Sequence, residues 1–318
     1  MIDKICYIFA RLIDLFRLPR SCEKGLLLSG RIASEQNKST HEINTLQDAE
    51  FRVFSQWGED GIIDWLLHNL PSIPESFVEF GVENYQESNT RFLLQHRHWR
   101  GLVFDSSAAN INQIQRSELY WRHDLSAVEA FITRDNINSL IADNGFAGEI
   151  GILSIDLDGN DYWIFDAINC VDPAVIVCEY NGVFGDEHAI SIPYDEGFSR
   201  QAAHYSGQYF GASIAALKSL AARKGYSFLG SGKSGVNAFF VRENLMPSIT
   251  KRIGQKVAYP SQHRDSRNAD GALTYISGEA RADAIGRLPV AIVKDDTTAA
   301  LDSLGSLYSP KWRSGNPS

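Results

Sequence analysis

The sequence has no C-x-x-C pair and no zinc-like spacing of cysteine with histidine. Its four cysteines, Cys6, Cys22, Cys170 and Cys178, are scattered. Cys170 and Cys178 lie among apolar neighbours, so neither a disulfide scaffold nor a zinc module is expected, and a reducing cytoplasm is the simplest home. Positive charge is not in excess either. Lys and Arg number 30 against 39 Asp and Glu, a net charge of -9, which argues against a general grip on nucleic acid because phosphate neutralisation needs clustered cations. Internal repeats and low-complexity tracts are lacking. So is an uninterrupted apolar run long enough to span a bilayer: Lys4, Arg11, Asp14 and Arg17 break the only one near the N-terminus. That segment lacks a small-residue cleavage site and does not read as a signal peptide. Ile2, Ile5, Phe9, Leu12, Ile13 and Phe16 instead share one face at helical spacing, which predicts an amphipathic helix over 1–18 ending near Pro19. Packing on the domain or on a second copy in a homodimer is the favoured use of that face. Its cations leave peripheral membrane contact as the alternative.

What remains is an ordinary soluble composition, 44% hydrophobic and 22% charged, in a chain long enough for one large α/β domain with appendages. The organising stretch is Gly151 to Asp161, GILSIDLDGND, where a short apolar strand runs into three acids. An apolar run without alternation reads as a strand covered on both faces, as in a parallel sheet. Open parallel sheets bind ligands beyond their strand carboxyl ends, and that places Asp156 and Asp158 at a ligand edge, where their mutual repulsion demands relief.

Around it the chain alternates. Helical spacing is expected after Gly61, and strands over Ser76–Phe80, Gly101–Phe104, Leu119–His123 and Ala174–Cys178. Helices are expected over Asn110–Arg116, Ala127–Ile141, Tyr162–Ile168 and Ala212–Arg223, with Ser88 capping one through Leu94. Two late strands, Tyr226–Leu229 and Ala238–Val241, flank the turn GSGKSG, which lacks phosphate-loop spacing. The sum is α/β, a doubly wound, mostly parallel sheet. Polar residues from Gly30 to Glu50 suit a linker, giving an N-terminal segment 1–50, a ligand-binding domain 51–243 and a C-terminal extension 244–318. Within the extension, Ala280–Ile285 reads as a short helix and Pro289–Ile292 as a short strand, while Ser309–Ser318 reads as frayed.

Two constellations carry chemistry. In Phe77-Val78-Glu79-Phe80-Gly81-Val82-Glu83-Asn84 a strand enters a loop in which Gly81 permits close backbone approach and Glu79 is placed to orient the loop. Asp105 ends the next strand, where an acid accepts hydrogen bonds from both hydroxyls of a ribose and repels a ribose phosphate, so an unphosphorylated adenosine fits. The competing role for Asp105 is a helix cap. The second constellation sets Asp156 and Asp158 beside Glu179 and Asn181 at the next strand end, a hard oxygen set suited to Mg²⁺ or Mn²⁺, or else an acidic rim without metal. Asn160 and Asp161 fit as caps of the following helix.

FVEFGVENYQESNT, GLVFD, LSIDLDGNDYW, VIVCEYN and GVNAFFV, in this order and spacing, resemble the Rossmann-like S-adenosylmethionine-dependent methyltransferases, and most of all the FkbM-like enzymes of polysaccharide and natural-product clusters. The resemblance covers roughly Phe51 to Arg242. It implies seven strands with an antiparallel one inserted near the C-terminal end, and S-adenosylmethionine as cofactor. Glu79 and Gly81 then match the first cofactor motif, Asp105 the ribose acid, and Asp156 with Asp158 the acidic motif after the fourth strand. Asn84 stands where many relatives keep a small residue, so the second glycine is missing. Gln56 and Asp60, in the segment Ser55-Gln56-Trp57-Gly58-Glu59-Asp60, border the cofactor in similar enzymes. Some metal-dependent O-methyltransferases similarly place an acid after the fourth strand and an acid with a neighbouring Asn after the fifth, as Asp156, Glu179 and Asn181 stand here. The expected activity is O-methylation of a sugar or glycan precursor.

Methyl transfer from a sulfonium is an in-line displacement in which the acceptor hydroxyl must lose its proton. His188, in the long segment after the fifth strand, is the expected base, with His204 behind it and Asp158 the second catalytic candidate. Tyr194, Tyr205 and Tyr209 fit either a sugar-binding face or a packed lid. Two other classes stay open: a glycosyltransferase using Asp156-Leu157-Asp158 as a D-x-D metal triplet, and a catalytically silent binding module.

Overall fold

The apolar runs become a parallel sheet because each is flanked by helices that cover both of its faces. A computed structural model describes residues 22–295 and 297–318; the expected amphipathic helix of 1–18 lies outside the described residues. The main elements in chain order are α1 (22–39), α2 (Glu59–Asn69), β1 (Ser76–Phe80), β2 (Arg100–Asp105), α3 (Ala108–Gln115), α4 (Glu118–Arg122), β3 (Leu125–Glu129), α5 (Ile137–Asp143), β4 (Gly148–Ile155), α6 (Asp161–Ala167) and β5 (Val171–Glu179). There follow β6 (Ile190–Ser191), α7 (Arg200–Ala203), α8 (Ile214–Arg223), β7 (Tyr226–Ser231), β8 (Asn237–Arg242), α9 (Met246–Ile249), α10 (Glu279–Asp283), β9 (Pro289–Ile292), β10 (Thr297–Ala300) and α11 (Pro310–Arg313).

Seven strands form one sheet in the order β3-β2-β1-β4-β5-β8-β7. Strands β1 to β5 pair in parallel, and β8 runs antiparallel to both β5 and β7. Strand order reverses between β1 and β4, so the switch point lies beyond their carboxyl ends. Alternate strand residues feed two cores. Val78, Phe80, Leu153, Ile176 and Phe240 pack with Ile137, Ile164 and Leu217 on one face, and Phe77, Val103, Ile152, Val175 and Phe239 with Ile62, Trp65 and Ile111 on the other. A three-stranded sheet, β10-β9-β6, stands apart. Among the described residues no helix is long and apolar enough to cross a membrane.

Five local expectations are corrected. Leu119–His123 is not a strand: Ser117 caps a helical turn there by accepting from the Tyr120 N–H, and the strand falls at Leu125–Glu129. The expected helix over Ala127–Ile141 therefore shrinks to Ile137–Asp143. The expected helix from Ser88 through Leu94 begins only at Arg91 and runs into a π-helical turn at Leu93–Arg97. The polar stretch from Gly30 is not extended linker but the second half of α1, docked by buried polar side chains: Ser34 donates to Asp64 (2.9 Å) and Asn37 Nδ2 to the Gly61 carbonyl (2.9 Å). The last ten residues are not frayed either. Trp312 is buried and donates to the Ala258 carbonyl (3.1 Å), and Ser318 exchanges backbone hydrogen bonds with Ala258.

Candidate active site

A cleft of about 540 Å³ opens at the carboxyl ends of β1, β2, β4 and β5. Gly81 shapes its floor. Its φ is +71°, and a Cβ there would lie 1.8 Å from the Asp156 carbonyl oxygen, so the β1 loop passes the β4 end at a distance only glycine allows. The second glycine that the resemblance calls for is replaced by strain: Glu83 and Tyr85 both adopt positive φ, 47° and 61°. Asn84 between them accepts from the Gln86 N–H (3.1 Å) and does not line the cleft.

Glu79 orients the neighbouring loop. Its buried carboxylate accepts from the Ser88 hydroxyl (2.6 Å), the Asn89 N–H (2.8 Å), the Thr90 N–H (3.2 Å), the Thr90 hydroxyl and Ser154 Oγ (3.3 Å). Burial raises its pKa, and the donors pull it back. Asp105 ends β2 on the cleft wall, where its Oδ1 accepts from the Ser107 N–H (2.8 Å) and Asn110 Nδ2 (3.0 Å). Ser107, not Asp105, caps α3.

At the β4 and β5 ends, Asp156, Asp161 and Glu179 bring carboxylate oxygens within 4.8 Å of one another. Asp161 gives each oxygen to a backbone donor, the N–H of Leu157 (2.7 Å) and of Gly159 (3.0 Å), so it shapes the DLDGN turn; burial pushes its pKa to about 6. Glu179 is 8% exposed and its Oε2 has no hydrogen-bond partner. Desolvation, then repulsion by neighbouring carboxylates (Asp158 and Asp161 on Asp156, Asp156 and Asp158 on Glu179), pushes the Asp156 and Glu179 carboxyls well above the usual range. At neutral pH such a pair retains a proton or draws in a cation. Two expected metal ligands are turned away. Asp158, exposed and at φ +52°, pairs with Arg200, and Asn181 donates to the Gln208 and Phe210 carbonyls (2.9 Å each) while its Oδ1 caps the turn at Val183.

The remaining expected residues divide. Gln56 lines the cleft. Asp60 does not: it is buried, and its Oδ2 accepts from the N–H groups of Val53, Phe54 and Ser55 and from the Ser55 hydroxyl, at 2.7–2.8 Å. His188 also lies away from the cleft, with Nε2 on the Ser306 carbonyl (2.9 Å). His204 pairs with Ser206 (2.8 Å), and Tyr209 packs on Phe184 and Phe198. The sequence reading missed a strap from the C-terminal extension. Ser261, His263 and Asp265 reach the cleft, together with Arg200 and Arg281. Cβ atoms at Gly182 and Gly235 would sit 2.6 Å from Ser261 Cβ and 2.5 Å from the Pro260 carbonyl, so both glycines make room for the strap. Arg200 fastens it by pairing with Asp158 and, at 3.8 Å, with Asp265. His263 packs edge-on to Trp57 at 5.2 Å, and its Nε2 is buried without a partner; burial lowers its pKa, which keeps the ring neutral. The glycines of GSGKSG and VIVCEYNG were the available signal, though they do not say what approaches them.

No protein-family model matches the sequence, and no curated protein matches it. Among solved structures the chain is similar to the N-terminal domain of EvdMO1 with SAH bound, at 14% identity over 66% of this chain and 94% of that one, TM-score 0.39. It is similar to the O-methyltransferase from Bacillus cereus in complex with SAH, at 14% identity over 68% and 89%, TM-score 0.34. A third is an S-adenosylmethionine-dependent methyltransferase from Clostridium acetobutylicum ATCC 824, at 10% identity over 58% and 90%, TM-score 0.36. At these scores the functional reading rests on this chain's own strand order and cleft.

Proposed function

We propose that this chain is an S-adenosylmethionine-dependent O-methyltransferase acting on a hydroxyl of a sugar or glycan precursor. The observation that carries the reading is the Gly81 crossing at the switch point, flanked by Asp105 at the β2 end and by the unpartnered carboxylates of Asp156 and Glu179. Asp105 takes the ribose hydroxyls, Glu79 holds the 88–90 loop against the cofactor, and the acidic floor suits a sulfonium cation. Asp156 and the orphaned Glu179 oxygen fit a hard divalent ion such as Mg²⁺ or Mn²⁺, which when bound supplies a lowered pKa at the acceptor hydroxyl. His263, neutral and unpartnered on the cleft wall, replaces His188 as the base that receives the hydroxyl proton. The D-x-D alternative is disfavoured because Asp158 pairs with Arg200 rather than converging with Asp156.

The test is titration calorimetry of S-adenosylmethionine against wild type and Asp105→Ala, each with and without Mg²⁺. Saturable binding to wild type that weakens at least about tenfold in the variant, the value of one good charged hydrogen bond, supports the assignment. Absence of binding to wild type in both conditions overturns it. Binding alone with no methyl transfer to any hydroxyl acceptor would leave the silent module.

A further inference from the structure

The cleft is lined by cations as well as carboxylates, and one of these cations, Arg281, is unexplained by a cationic cofactor. Arg281, on α10, is 2% exposed and lines the cleft on the strap side. Both Nη atoms donate to one residue, Ser261, at its Oγ (3.2 Å) and carbonyl oxygen (3.1 Å), and Nε is buried without a partner. Among the described residues no carboxylate lies within ion-pairing distance of it. Asp265, whose charge reaches it, is already paired with Arg200. Bracing Ser261 needs only a neutral donor, such as a glutamine amide. A guanidinium keeps its charge in proteins, and a buried charge without a counter-ion is costly, so the charge calls for an anion that the chain does not supply.

We propose that Arg281, with Ser261 Oγ beside it, is a subsite for an oxyanion of the acceptor, so that the substrate is an acidic sugar derivative bearing a phosphate or a carboxylate rather than a neutral one. A planar fork matches either group. The carboxylates of Asp156 and Glu179 hold the cationic side of the reaction, and Arg281, on the strap wall of the same cleft, holds the anionic tail of the acceptor. The assignment of this oxyanion to a sugar acceptor rests on the proposed methyltransferase activity; the anion site stands without it.

The experiment titrates the full chain with inorganic phosphate and, separately, with acetate, and then titrates the same samples with S-adenosylmethionine. Saturable binding of one or both anions is expected, weakened about tenfold or more in Arg281→Gln and less in Arg281→Lys, which keeps the charge but loses the fork. Preference for phosphate or for acetate identifies the source of the oxyanion. A melting curve checks each variant; if Arg281→Gln does not fold, the weaker binding of Arg281→Lys decides. No saturable binding of either anion to wild type, or equal binding in the variants, overturns the subsite. S-adenosylmethionine binding without anion binding refutes the subsite alone, and the reverse refutes the proposed activity alone.

Discussion

Replacing Glu79 with glutamine changes one atom and reverses the logic of the site. All five groups around the carboxylate are used as donors: two backbone N–H groups and the hydroxyls of Ser88, Thr90 and Ser154. A carboxylate accepts them all, but an amide offers one acceptor oxygen and one NH₂. Hydroxyls can rotate to accept, whereas the Asn89 and Thr90 N–H groups cannot. They sit on opposite oxygens, Asn89 on Oε1 and Thr90 on Oε2, so either amide orientation sets an NH₂ against a buried backbone N–H. An orphaned buried donor costs about 1–3 kcal/mol, and the surviving bonds lose their charge-assisted strength. Relief of a desolvated charge offsets part of this, leaving roughly 3 kcal/mol. At about 2–4 °C per kcal/mol for chains of this order, the melting midpoint should fall by roughly 6–12 °C. Because Asn89 lines the cleft, S-adenosylmethionine affinity should fall with it. Scanning calorimetry with a parallel ligand titration reads both. A Glu79→Gln protein melting within about a degree of wild type would refute the donor-only account of this loop.

Asp60 gives a paired test. Asp60→Ala removes the shared acceptor of three backbone N–H groups and should cost roughly 3 kcal/mol or more, whereas Asp60→Asn keeps those bonds and puts its amide where Oδ1 has no partner, and should cost less by denaturant titration. Burial raises the Asp60 pKa to about 6, so its protonated form is favoured in the fold: wild type should gain stability over Asp60→Asn as pH falls from about 6 toward 4, and a gap that does not move across that window would contradict it. Trp312→Ala removes a buried indole and its bond to Ala258, which should cost about 3–5 kcal/mol and loosen the strap; an unchanged midpoint would show that the C-terminal turn is not packed as described.

The sheet was legible because its strands carry their own signal. Phe77–Phe80, Leu102–Phe104, Ile150–Ile155 and Ala174–Cys178 are largely apolar on both faces, as buried parallel strands are, and glycine or acid ends each cleanly. The edge strand β3 was not legible. Ser126 and Glu129 interrupt it, and the aromatic pair Tyr120-Trp121 just before it mimics a strand while Ser117 winds it into a helix. At the site, the placement of Gly81 and Asp105 at the cleft was legible because it depends on position along one strand. Asp158 and Asn181 line the cleft, but their partners were not legible, nor was the place of His188 outside it, because these are settled by contacts across long separations, such as Arg200 with Asp158. His263 and Arg281 carry no local motif, and only the fold brings them to the cleft.

Gly182 and Gly235 lie on different elements, one after β5 and one in the β7–β8 turn, yet both are needed bare by the same two strap residues, Pro260 and Ser261. The strap cannot be exchanged for another sequence unless both sites remain open to it, nor can either glycine be filled while the strap keeps its path. The strap wall of the cleft is therefore inherited as a unit: a chimera that keeps this sheet and imports a foreign C-terminal segment would retain the strand-end floor of the cleft and lose the wall that Ser261, His263 and Asp265 form.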